Sequence, residues 1–170
     1  MKKLLLFVAN AIFVFSNISA QDSSQTTNSG EGFNLGLHLG LGVGNFPFPN
    51  GVLGLDVTYL FNVSDGFDVG IATGYSLFFS ESPPKKTRDL LGIIPIAASA
   101  RVALGQKLFI GIDLGYGIIT NFSGGTGGFY YYPKIGLKLG AVDIFGYYQA
   151  MTRESFNFAS VGVGAFFNIN

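Results

Sequence analysis

Seven charged residues fall inside segments whose other side chains alternate between bulky apolar and small: Asp56, Asp68, Arg101, Asp113, Lys134, Lys138 and Asp143. Four carboxylates and three cations can persist in a confined space when they are paired and hydrogen-bonded. Held static, such a set is a polar plug. Held in two arrangements, it is a gate or a thin solute path, because ionisable groups inside a membrane often mark ion pathways. His38, the single histidine, sits beside glycines in "GLHLGLGVG". Nucleophilic catalysis would need a serine and an acid placed around it, and no nucleophile motif accompanies it. The glycines recur at strand spacing, whereas phosphate-cradling glycine motifs are spaced differently and lead into a helix. No cluster has metal-ligand spacing, cysteine is absent, and nothing calls for a cofactor.

The elements that must position these residues are strands. In "KLFIGIDLGYGIIT", Leu108, Ile110, Ile112, Leu114, Tyr116 and Ile118 alternate with Phe109, Gly111, Asp113, Gly115 and Gly117. A strand sends successive side chains to opposite faces, so one face is greasy and the other is small with one carboxylate. The same period of two predicts eight strands. They are Phe33–Gly44, Gly51–Asn62, Phe67–Ser80, Leu91–Leu104, Lys107–Thr120, Tyr130–Gly140, Val142–Ala150 and Phe156–Asn168. "NFPFPN", "ESPPKKTRDL", "NFSGGTGGF" and "MTRES" read as long connections, alternating with "VSDG", "GQ" and a tight turn near Ala141. The seventh segment, "VDIFGYYQA", fits worst, because Phe145 and Tyr147 share a side with Asp143 and Gln149.

Composition decides which face meets what. Only 12% of residues are charged, against the ~25–35% that a water-facing surface usually carries. Of the seven strand charges, all but Asp143 lie clearly on the small-residue side. A charge facing hydrocarbon at the midplane of a barrel costs ~2–4 kcal/mol, so lipid would enforce this exclusion. An eight-stranded barrel encloses an interior only just wide enough for side chains. The bulky face would overfill it, whereas glycine, alanine, serine and a few ions would fit. The expectation is an all-β, eight-stranded antiparallel transmembrane β-barrel with its apolar face toward lipid. Two aromatic girdles should mark the headgroup levels. The outer is Phe78, Phe79, Phe129 to Tyr132, Tyr147, Tyr148 and Phe156; the inner is Phe61, Phe67, Phe109, Phe145, Phe166 and Phe167.

"MKKLLLFVANAIFVFSNISA" has the basic start, apolar middle and small-residue end of a secretory signal peptide, so residues 1–20 are expected to be removed. Residues 21–32, "QDSSQTTNSGEG", read as a flexible leader, and 33–170 as the barrel domain. Without Lys2 and Lys3 the chain has 8 basic and 10 acidic residues, which gives nucleic acid no basic patch to bind.

"LLGIIPIAASARVALGQKLFIGIDLGYG" is similar to the Ile-Pro-containing strand, tight turn and Gly-rich strand of small outer-membrane β-barrel proteins, the Bacteroidetes-type members of the outer membrane protein beta-barrel domain group. The resemblance implies the cell outer membrane as location. It also implies insertion by the outer-membrane assembly machinery, which often reads a terminal aromatic; here the chain ends "FFNIN". Outer-membrane lipids would surround such a barrel, and the basic group Lys85, Lys86 and Arg88 could pair with lipopolysaccharide phosphates. The leading functional reading is a structural or surface-interaction barrel with a filled polar lumen, not an enzyme. A narrow channel or uptake barrel for small solutes is the alternative, and a lipid-modifying enzyme a distant third.

Overall fold

A computed structural model describes residues 31–43, 51–81, 88–120, 127–153 and 156–169. The expected signal peptide, nearly all of the leader, and Lys85 and Lys86 lie outside the described residues. Eight strands follow in chain order: β1 Gly32–Val43, β2 Gly51–Ser64, β3 Phe67–Glu81, β4 Arg88–Leu104, β5 Leu108–Thr120, β6 Gly128–Lys138, β7 Val142–Arg153 and β8 Phe156–Ile169. Each pairs antiparallel with its sequence neighbour, and β8 returns to pair with β1 from Phe33↔Ile169 to Val43↔Ala159. The sheet is a closed barrel. Closure matters because an unpaired backbone edge in hydrocarbon would cost several kcal/mol per group.

Three short connections join the strands at one end, and each turns on a glycine with positive φ: Gly66 at 76°, Gly105 at 72° and Gly140 at 89°. Residues with a Cβ rarely adopt that region, which explains why glycine punctuates these turns. Backbone hydrogen bonds tie this rim together, from Ala103 N to Gly66 O at 2.7 Å and from Asn168 N to Ala141 O at 3.0 Å.

The opposite rim differs from expectation. β4 begins at Arg88, with Arg88 paired to Glu81, so the second long connection is only residues 82–87. β7 runs on to Arg153 and β8 starts at Phe156, leaving just two residues between them. "MTRES" is therefore not a long loop. Its ladder continues through Met151↔Phe158, Thr152↔Asn157 and Arg153↔Phe156, because Met151 and Phe158 are needed to pack the interior. Three connections at this end are longer, not four.

The sidedness is as the charge pattern requires. Leu39, Leu41, Leu55, Ile71, Ile96, Ile135 and Val163 stand out from the barrel, with Ile71 67% exposed. Asn34, His38, Asp56, Asp68, Arg101, Asp113, Lys134 and Asp143 are buried. β7 obeys the same rule: Asp143, Phe145, Tyr147, Gln149 and Met151 face inward while Ile144 and Tyr148 face out. Its poor fit to a small-residue lumen is real and has a cause. The lumen is not lined by small residues and ions alone. Phe78, Phe109, Tyr130, Tyr132, Phe145, Tyr147 and Phe166, expected in the girdles, fill it instead.

Candidate functional site

Glycine admits the rings. A Cβ at Gly36 would come within 2.8 Å of the Phe166 ring, and one at Gly164 would collide with Phe145. The same holds for Gly136 against Phe109 and Gly162 against Tyr147. Each ring thus occupies the space that a neighbouring glycine leaves open. Phe145 and Phe166 stack at 4.5 Å, and Tyr132 meets Tyr147 edge to face at 5.1 Å. Glycine strips and lumen aromatics are two halves of one packing solution.

Polar groups are threaded through this packing in levels. Nearest the short turns, the Nη1 of Arg101 donates to Asp143 Oδ2 at 2.9 Å, and Asn62 Nδ2 donates to Asp68 Oδ1 at 2.9 Å. The guanidinium lies 4.3 Å from the Phe109 ring centre, a cation–π contact away from water. Asp68 and Asp143, whose strand-end positions suggest solvation, are 1% and 2% exposed. Lys138, half-buried on β6, stands beside Asp143 in the β6–β7 ladder. One level up, Lys134 Nζ pairs with Asp113 Oδ2, and Ser99 Oγ donates to Asp113 Oδ1 at 2.6 Å. Lys134 Nζ also sits 4.2 Å over the Tyr132 ring.

At mid-lumen His38 acquires partners that local sequence could not reveal. Its Nδ1 is 2.7 Å from Asp56 Oδ2 and its Nε2 is 3.2 Å from Ser76 Oγ. With the Nδ1 proton donated to the carboxylate, the Ser76 hydroxyl donates to Nε2. That is the connectivity of a serine–histidine–acid triad. Its surroundings are different. Gln149 Nε2 donates to Ser76 Oγ at 2.8 Å and to the Tyr130 hydroxyl at 3.1 Å. Ser160 Oγ donates to Gln149 Oε1 at 3.2 Å, and Tyr132 donates to Asp56 Oδ2 at 3.4 Å. Ser76 is 2% and His38 1% exposed. Acyl transfer needs space beside the serine for a carbonyl and donors for its oxyanion. Here Gln149 donates to that serine and the Tyr132 and Tyr147 rings pack against His38, so the triad is a packed hydrogen-bond cluster.

Above it, toward the longer connections, Val52, Phe78, Ile93, Met151 and Phe158 form an apolar cluster, with Leu91 and Ile119 against it. These residues lie near the strand ends that border residues 44–50, 82–87 and 154–155. They cap the polar column. Among the described residues no group of His, Cys, Asp and Glu could hold a metal ion. Of the loop cations, Arg88 opens β4.

No family model matches the chain, and no curated protein matches it in sequence. Solved structures do match in fold. The Yersinia pestis outer membrane protein Ail in a phospholipid bilayer nanodisc aligns with a TM-score of 0.59 at 11% identity, covering 81% of this chain and 98% of Ail. The crystal structure of Ail, the attachment invasion locus protein, aligns at 0.56 and 10% identity over the same shares. Ail in complex with the heparin analogue sucrose octasulfate aligns at 0.55 and 10% identity. At such identities the likeness concerns architecture. A closed eight-stranded barrel with an apolar exterior and strands of 11–17 residues defines the class: an integral outer-membrane β-barrel protein.

Proposed function

We propose that this barrel is a non-catalytic scaffold of the outer membrane that works through its outward-facing connections. The observation that supports the reading is the filled lumen, a polar, ion-paired column capped by Val52, Phe78, Ile93, Met151 and Phe158. A solute would have to displace that cap and then break the buried ion pairs below it. A substrate would have to displace Gln149 to reach Ser76. Chemistry for partners is then left to the rim, where surface connections on a rigid frame usually carry binding.

The partner we assign to the rim is the phosphate of lipopolysaccharide, met by Lys85, Lys86 and Arg88. These three cations fall within residues 85–88 of the sequence, in the connection that this reading turns outward. Ail has been crystallised with a sulfated heparin analogue, which makes a sulfated polysaccharide the competing occupant. Insertion would fall to the outer-membrane assembly machinery, and the Ile-Pro and Gly-rich strands β4 and β5 support kinship with the Bacteroidetes-type barrels. The test places purified protein in nanodiscs with and without lipopolysaccharide. Binding that is lost in the triple variant Lys85→Gln, Lys86→Gln, Arg88→Gln, and weakened by salt, supports the assignment. Equal binding by the variant, or a preference for heparin, overturns it.

A further inference from the structure

Thr58 lies on β2, faces the lumen and is 3% exposed, yet its hydroxyl has no hydrogen-bond partner in the protein. A buried hydroxyl left unpaired is costly, and native interiors rarely tolerate one. Beside it is a void lined by Thr58, Ser99, Arg101, Phe109, Lys134 and Phe166, with room for about one water molecule. Its polar walls are two hydroxyls and two cations. A guanidinium carries five N–H donors and an ammonium three, more than the contacts of Arg101 with Asp143 and Lys134 with Asp113 use.

We propose that this void is a binding site for a single water molecule, held between the Thr58 hydroxyl and the cations Arg101 and Lys134. The water oxygen accepts from the cations and its protons reach Thr58 and the Ser99 oxygen. Such a water has the two to four polar partners that buried waters require. An inorganic anion suits the site less well. Each cation already has its own carboxylate, and among the described residues the lumen sets four aspartates against the three side chains Arg101, Lys134 and Lys138 and the single histidine, so another negative charge finds no unclaimed partner. The consequence is structural. The water joins the Arg101–Asp143 pair and the Lys134–Asp113–Ser99 group, which otherwise belong to separate levels, into one column braced across the barrel by β2.

The sign of a stability change tests this. Thr58→Val keeps the shape and deletes the hydroxyl. If the water is bound, the thermal unfolding midpoint of the full barrel in detergent falls by a few degrees, and Thr58→Ser, which keeps the hydroxyl, falls less. If the void is dry, Thr58→Val removes an unpaired polar group, and the midpoint stays level or rises, which overturns the proposal. The wild-type crystal map gives a second readout that does not depend on the variant folding. Density within hydrogen-bonding distance of Thr58 Oγ1 is expected. An empty site, or anomalous density there after a bromide soak, refutes the assignment to water.

Discussion

Lys134 and Asp113 show what a charge costs inside this barrel. Both are nearly fully buried, and Ser99 and the Tyr132 ring complete their shell. Removing one partner strands the other in a low-dielectric interior, which typically costs about 3–5 kcal/mol, whereas exchanging both for apolar residues is often close to neutral. Lys134→Met is therefore expected to lower the urea unfolding midpoint steeply, and the added change Asp113→Leu to recover most of the loss. A single variant as stable as the wild type would mean that the pair is solvated. Ser76 makes a second residue-scale prediction. Because Gln149 occupies the approach to its hydroxyl, a fluorophosphonate probe should leave the folded protein unlabelled. Labelling that disappears in Ser76→Ala or His38→Ala would restore the enzyme reading. Six of the seven strand charges were legible in the sequence as lumen positions from their neighbours in each alternating run, whereas Asp143 on β7 was ambiguous. The pairing of Ser76 with His38 was not legible, because a serine 38 residues from His38 has no local signature.

At the scale of the strand, the coupling is between one strand's glycine and the next strand's ring. Gly36 on β1 faces the Phe166 ring of β8, directly across the ladder. Gly36→Ala should overpack the lumen at a cost of about 1–3 kcal/mol, read as loss of the compact, heat-modifiable form on gels. In a Phe166→Leu background the same substitution should cost less, since the ring that it strikes is gone. A double-mutant cycle gives the coupling; additivity would show that glycine and ring do not share the space. The sequence yields the alternation in these strands but assigns the aromatics of β6 and β7 to the rims. The reason is physical: whether a ring can turn inward depends on glycines of another strand, Gly164 and Gly162 of β8 for Phe145 and Tyr147 and Gly36 of β1 for Phe166, which the alternation within one strand does not show. The connection between β7 and β8 was misjudged on the same ground, since polar residues in "MTRES" look loop-like until Met151 and Phe158 are seen to pack together.

For the whole molecule, the exterior and the lumen make separate predictions. Cysteines introduced at Ile135 and Leu137, on the apolar surface, should resist a water-borne maleimide in membranes while one at Lys107, in an exposed turn, reacts. Equal labelling of all three would place the apolar face in water. On the proposed reading the intact barrel should show no steady conductance in planar bilayers, since a solute would have to pass the apolar cluster of Val52, Phe78, Ile93, Met151 and Phe158 and the buried ion pairs. Sustained single-channel current would favour the narrow-channel alternative.

The sequence by itself determined the eight strands, the sidedness of all but β7, and the membrane as surroundings. Those follow from period-two alternation and from the exclusion of charge from one face, and both are properties of neighbouring residues. Only the tertiary structure decided what the inward side chains meet. Barrel closure sets Asp56, Ser76 and Gln149 around His38, turns seven aromatic rings into a glycine-lined lumen, and leaves Thr58 facing two cations. Those contacts depend on register across several strands and on volumes that no single strand contains.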